Sequence, residues 1–142
     1  MIRTIDDRIS VAPQIAPEDV PGIAAAGFVA IVNNRPEGEA PDQPEGAAIA
    51  AAAEAAGLAY TEIPITHAGF SANQVEAMAA ALAAAEGPVL AYCRSGTRSC
   101  NLWALAAASR GGDPDEVTAK AAGAGYDITG IRPLLDALSG RG

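Results

Sequence analysis

Apolar runs recur along this chain, and each one stops at a break of glycine, proline or polar residues. Ile9-Ser10-Val11 predicts a short strand, and Phe28-Val29-Ala30-Ile31-Val32 predicts a wholly apolar one that ends at Asn33-Asn34. Residues 58–63 and 89–92 predict two more. Alanine-rich stretches of helical propensity lie between them. Pro17-Glu18-Asp19-Val20 opens a helix that Gly27 breaks, and 47–56 forms the next, with Gly57 as its C-terminal cap. Ser71 caps 72–86, which Gly87 closes, and 99–110 follows the last strand. Two further helices, over about 115–122 and 128–138, complete the pattern. The segment 35–46 is rich in proline, glycine and acids and reads as a loop.

Strands alternating with helices predict an α/β fold, a mostly parallel twisted central sheet flanked by helices. Such sheets bind ligands at the carboxyl ends of their strands. Three loops leave that edge in this reading, 33–44, 64–70 and 93–98, and chemistry is expected there. A chain of 142 residues fits a single domain over 1–142, with no internal repeat and no linker to divide it.

Composition narrows the partners. Half of the residues are hydrophobic but only 4% are aromatic, so the core must use small side chains and closely approaching helices. The net charge of −8 argues against a nucleic-acid partner, and any anion must be held by local positive groups. The opening MIRTIDDRIS has no apolar signal-peptide core, and no run reaches the roughly 18 apolar residues of a membrane span. A cytoplasmic protein without a membrane partner is the expectation. Two cysteines do not make a disulfide framework, and with a single histidine they do not make a zinc set. No metal and no cofactor is expected.

The chemistry concentrates in Cys93-Arg94-Ser95-Gly96-Thr97-Arg98-Ser99. A strand ends in a cysteine, a short loop with a glycine follows, and a helix begins. Backbone N–H groups and the positive end of a helix are thereby aimed at one sulfur, and a thiol placed there is expected to lose its proton easily. Cys93 is the candidate nucleophile. Gly96 lets the backbone turn inward without a Cβ clash. Arg98 can grip two oxygens of an anion with its planar fork, with Arg94 as a second local cation. Ser95 completes the anion-binding loop, and Thr97 and Ser99 can donate a hydroxyl to the sulfur or to a leaving group.

Four residues on the neighbouring loops are further candidates. Arg35 follows a buried strand and pairs in this reading with Glu37, Glu39 or Asp42, the alternative being a second anion clamp. Glu39 and Asp42 can reach the site from their loop, and His67, the one histidine, can do so from 64–70. Cys100 reads as a small buried helix residue turned away from the loop, the alternative being a thiol that resolves an oxidised Cys93.

The stretch from Gly87 through Cys93-Arg94-Ser95-Gly96-Thr97-Arg98-Ser99 to Leu105 resembles the beta-lactamase hydrolase-like protein, phosphatase-like domain family, which also carries the label of a sulfur transferase. Asn33-Asn34-Arg35-Pro36-Glu37-Gly38-Glu39, Asp42-Gln43-Pro44 and Ile63-Pro64-Ile65 extend the resemblance across roughly residues 2–110. It implies the fold of the dual-specificity and tyrosine phosphatases, with the cysteine at its centre. The loop departs from that pattern. Cysteine-dependent tyrosine phosphatases place five residues between Cys and Arg, whereas Cys93 and Arg98 are separated by four. The shorter ring is similar to the rhodanese loop, which surrounds a single sulfur.

The loop 64–70, where dual-specificity enzymes carry an aspartate as general acid, has no carboxylate. Both departures favour a sulfurtransferase that carries sulfane sulfur as a Cys93 persulfide. The alternative is a phosphatase acting on phosphotyrosine-like monoesters through a phosphocysteine. A third reading is a non-catalytic anion-binding or docking domain. The expected partner is a small anion (thiosulfate, a persulfide or a phosphate ester), and the family resemblance adds a sulfur-metabolism protein.

Overall fold

The computed structural model describes residues 1–140. Five strands form one sheet, β1 (Arg3–Thr4), β2 (Ile9–Ala12), β3 (Ala30–Asn33), β4 (Ala59–Glu62) and β5 (Val89–Tyr92), in the order β1-β2-β5-β3-β4. All neighbours are parallel except the short β1, which runs antiparallel to β2. β5 therefore sits in the middle, with Val89 and Tyr92 in register with Ile9 and Ala12 on one side and with Ala30 and Asn33 on the other.

Every residue of β2, β3 and β5 is buried, which is why these strands read as near-continuous apolar runs. Side chains alternate between the two faces. Ile9, Val11, Ala30, Val32, Val89 and Ala91 pack on one side against α3 (Ala72–Ala84), α4 (Thr97–Ser109), α5 (Pro114–Gly123) and α6 (Arg132–Leu138). Ala12, Ile31, Leu90 and Tyr92 face α1 (Val20–Ala25) and α2 (Gly46–Ala55) on the other. The expected α/β architecture, a mostly parallel sheet with helices on both faces, is the one observed. No helix among the described residues is long and apolar enough to cross a membrane.

Three elements differ from expectation. Strand β1 has no apolar signal because both of its residues are exposed at the sheet edge. The last helix does not run through 128–138. A 3-10 turn at Thr129–Ile131 precedes α6, which begins at Arg132 with Pro133 in its first turn. Proline has no N–H and clashes with the preceding turn, so a helix cannot continue through it unperturbed. Helix α4 starts at Thr97 rather than Ser99, because Gly96 at φ +91° turns the chain sharply enough to open the helix at once.

Candidate active site

Cys93 is the first residue after the central strand, fully buried, with its N–H donated to the Ala12 carbonyl of β2 at 3.3 Å. Its sulfur accepts the Gly96 N–H at 3.1 Å. Gly96 is the N-cap of α4, so the unpaired N–H groups and the positive end of that helix lie at the same place. Two residues brace the loop from outside. The Gln14 N–H donates to the Arg94 carbonyl at 3.4 Å, and the Tyr126 hydroxyl donates to the Ser95 carbonyl at 3.2 Å. A Cβ on Gly96 would run into the Tyr126 hydroxyl and displace that brace, and φ +91° itself disfavours any side chain.

Arg98 stands in the first turn of α4, and its guanidinium is tightly specified. Nη1 donates to Glu39 Oε2 and to the Ile65 carbonyl, both at 2.7 Å, and Nη2 donates to Glu39 Oε1 at 2.8 Å. Three of its five N–H groups are thereby used. The edge formed by Nε and the second Nη2 hydrogen makes none of these bonds, the Cys93 sulfur interacts with the same guanidinium, and that edge matches two oxygens of an anion. Burial opposes the positive charge, but the Glu39 hydrogen bond holds Arg98 charged, and the neighbouring Cys93 sulfur acts in the same direction.

Glu39 is fixed in turn. Arg35 Nε donates to its Oε1 at 2.9 Å, and Arg35 Nη1 reaches Gln14 at 3.1 Å. Gln43 accepts the Glu39 N–H and donates to the Pro36 carbonyl, both at 2.9 Å, which stitches the loop into one shape. The Arg98 hydrogen bond, followed by that of Arg35, outweighs burial and lowers the Glu39 carboxyl from an ordinary 4.5 to about 2. Glu39 is an anion at any pH near neutrality.

The candidates from the sequence separate into those that meet at Cys93 and those that do not. Gly96, Arg98, Glu39 and Arg35 converge on the loop, with Arg35 in the ion pair to Glu39. Ser99 does not address the sulfur. It is buried and donates to Asn34 Oδ1 at 2.8 Å, because Asn34 is wholly buried and needs a donor. Thr97 is exposed and accepts from Ser95 Oγ at 3.1 Å, which closes a local turn rather than a contact to sulfur. The Arg94 side chain is exposed, whereas Arg98 is half-buried and fixed beside Cys93. Asp42 and His67 are exposed on their loops, and neither bonds to Cys93, Arg98 or Glu39. Cys100 is buried, and burial, with the Cys93 charge second, pushes its thiol up to about 12.

Gln14, Asn34 and Tyr126 are the site residues that the sequence reading missed. Asn34 and Gln14 had a weak signal, as polar residues at or just beyond the ends of buried strands on the loop-bearing edge. Tyr126 had none.

Known proteins resemble this chain in sequence and in fold. The chain matches the family model described as beta-lactamase hydrolase-like protein, phosphatase-like domain, over residues 1–110. A beta-lactamase hydrolase-like protein of Agrobacterium fabrum is 39% identical over 107 residues, covering 75% of this chain, which in turn spans only 25% of that relative's length. The solved structure nma1982 of Neisseria meningitidis, named as a candidate phosphatase, superposes with a TM-score of 0.82 at 35% identity, covering 96% of this chain and 97% of that one. Tk-PTP in its active form superposes at 0.75 with 21% identity, covering 99% and 97%, and speaks for the fold alone. The fold is that of the dual-specificity and tyrosine phosphatases. The expectation of sulfur transfer finds no support among these relatives, and the phosphatase alternative fits them better.

Proposed function

Because the chain belongs to the beta-lactamase hydrolase-like protein, phosphatase-like domain family, we propose that it is a hydrolase that cleaves phosphate monoesters through a phosphocysteine at Cys93. The observation that carries this reading is the edge of Arg98 that its bonds to Glu39 and Ile65 do not use, beside the Cys93 sulfur. Glu39 and the Ile65 carbonyl take the far side of the guanidinium, leaving Nε–H and one Nη2–H for two phosphoryl oxygens beside the sulfur. The sulfur attacks phosphorus, the bond to the leaving oxygen breaks, and charge grows on the equatorial oxygens. Arg98 and the first turn of α4 are placed for that charge, while the Gly96 N–H supports the sulfur, and such prepared donors are where electrostatic catalysis acts. Water then attacks the phosphocysteine and returns the electron pair to sulfur.

The test is turnover of p-nitrophenyl phosphate, with trapping of the phosphoenzyme. Cys93→Ser is expected to abolish both, and Arg98→Lys to cost about 10²–10³-fold by removing the paired donors. Turnover that survives Cys93→Ser would overturn the proposal. The four-residue spacing and the loop 64–70 without a carboxylate favour sulfur transfer as a second reading. Incubation with thiosulfate followed by intact mass would then show one added sulfur, lost in Cys93→Ser.

A further inference from the structure

Breaking a P–O bond leaves charge on the departing oxygen. A positioned acid that neutralises it is worth about 10²–10⁴-fold, and more as the leaving group becomes more basic. Among the described residues, no acidic side chain with a free proton stands beside Cys93. The loop 64–70 has no carboxylate, and it offers the site only the Ile65 carbonyl, which Arg98 occupies. Its histidine, His67, is exposed. From the loop after β3, Asp42 is exposed, while Glu39 faces the site with both oxygens engaged. Glu39 accepts three hydrogen bonds from two guanidinium groups, at 2.7, 2.8 and 2.9 Å. A carboxylate so held has no proton to give near neutral pH, in keeping with its lowered pKa. The Tyr126 hydroxyl spends its proton on the Ser95 carbonyl, and Ser99 spends its own on Asn34. From the end of β2 the site receives Gln14, whose side chain serves Arg35.

We propose, resting on the phosphatase reading, that this site selects phosphoryl compounds whose leaving group departs as a stable anion without a proton. Acyl phosphates, phosphoric anhydrides and esters of acidic phenols belong to this class, and alkyl phosphates do not. In the first step a sulfur electron pair forms the S–P bond while the P–O bond breaks, and its electron pair leaves on the carboxylate, phosphate or phenolate oxygen. In the second, water forms a new P–O bond, the S–P electron pair returns to Cys93, and the water proton passes to solvent or to the phosphate released. Neither step asks a side chain for a proton.

The experiment compares kcat/KM for aryl phosphates running from p-nitrophenyl to unsubstituted phenyl, with acetyl phosphate and glycerol phosphate as the extremes. Cys93→Ser serves as the blank, and the series is repeated in His67→Asn and Asp42→Asn. The expected result is a steep fall as the leaving group becomes more basic. Acetyl phosphate should be at least as good as p-nitrophenyl phosphate, and glycerol phosphate worse by about 10²–10⁴-fold or more. Neither substitution should change the slope. Phenyl and glycerol phosphates turned over within about tenfold of p-nitrophenyl phosphate would overturn the inference and leave the phosphatase reading standing. A slope that steepens in His67→Asn or Asp42→Asn would do the same, by revealing the proton donor. No Cys93-dependent turnover of any member would overturn both.

Discussion

Replacing Glu39 by glutamine tests whether this carboxylate orients the arginine. The amide has the same shape but one acceptor oxygen and no charge, while three N–H groups of Arg35 and Arg98 converge on it. At least one of them must face an amide N–H instead, and the Arg98 edge loses its fixed direction. The stability cost follows from linkage. A tenfold change in proton affinity is worth about 1.4 kcal/mol, so lowering the carboxyl from 4.5 to about 2 corresponds to about 3 kcal/mol. The side chain is 18% exposed, and screening reduces this to about 1–3 kcal/mol. Because the folded-state value is depressed, the stabilisation is complete above about pH 4.5 and is lost as pH falls toward 2. Urea melts of both proteins at several pH values give the measurement. The gap between parent and Glu39→Gln should be about 1–3 kcal/mol at pH 7 and shrink steadily below pH 4.5. Activity toward p-nitrophenyl phosphate should fall at pH 7 as well. A gap that stays constant with pH would refute the assignment of the charge to this ion pair, and unchanged kcat/KM would refute the orienting role.

Three other substitutions separate contacts that the sequence left merged. Gly96→Ala forces a side chain into φ +91° and against the Tyr126 hydroxyl, and should cost about 1–2 kcal/mol or more while turning the N–H away from sulfur. Stability by urea and turnover should both fall, and retained turnover would show that this N–H is not needed. Tyr126→Phe removes a hydrogen bond at the loop rim, a loss of about 0.5–1.5 kcal/mol in stability with a several-fold drop in kcat/KM, and unchanged activity would make the tyrosine mere packing. Ser99→Ala leaves the buried Asn34 oxygen without its donor, so about 1–3 kcal/mol of stability should be lost. A drop in turnover with full stability would instead restore the hydroxyl to the sulfur.

The fold was legible because parallel strands covered on both faces are largely apolar, as β5 is throughout and β3 is up to its last residue, Asn33. The cysteine loop was legible because strand, glycine and helix start fall within seven residues. The environment of that loop was not. Glu37, Glu39, Asp42 and Glu45 share one acidic, proline-rich loop, and local sequence does not say which of them turns inward. Gln43 decides it by bonding on both sides of Glu39, while Glu37 turns away to cap α2 through the Gly46 N–H. Ser99 looked equally able to serve sulfur or scaffold, and a buried asparagine 65 positions away settled its hydrogen bond. The preference for sulfur over phosphate rested on counting residues in the loop and on the missing carboxylate of 64–70. Such a count reports the size of the ring but not which edge of Arg98 remains open.

The brace on the loop leads to a last prediction, about the segment beyond the family match. That match ends at residue 110, yet Tyr126 holds the Ser95 carbonyl from outside it. Arg3 of β1 in turn lies over the Tyr126 ring, 6.0 Å from its centre, and donates to the Ala124 carbonyl at 3.3 Å. The same segment completes the core. Val117, Ala121, Ala124, Ile128 and Leu135 are buried in the cluster that contains Leu102, Trp103 and Leu105 of α4. Burying the three larger side chains alone is worth about 1.5–3 kcal/mol each, a total comparable to the whole stability of a domain this size, about 5–15 kcal/mol. A chain ending at Arg110 should therefore expose one face of α4 and lose its fixed core. Circular dichroism, gel filtration and dye binding would show an expanded or aggregated species with no turnover. If that shortened chain melted cooperatively and hydrolysed p-nitrophenyl phosphate at the parent's rate, α5, α6 and Tyr126 would be dispensable, and the loop would need no support beyond the sheet.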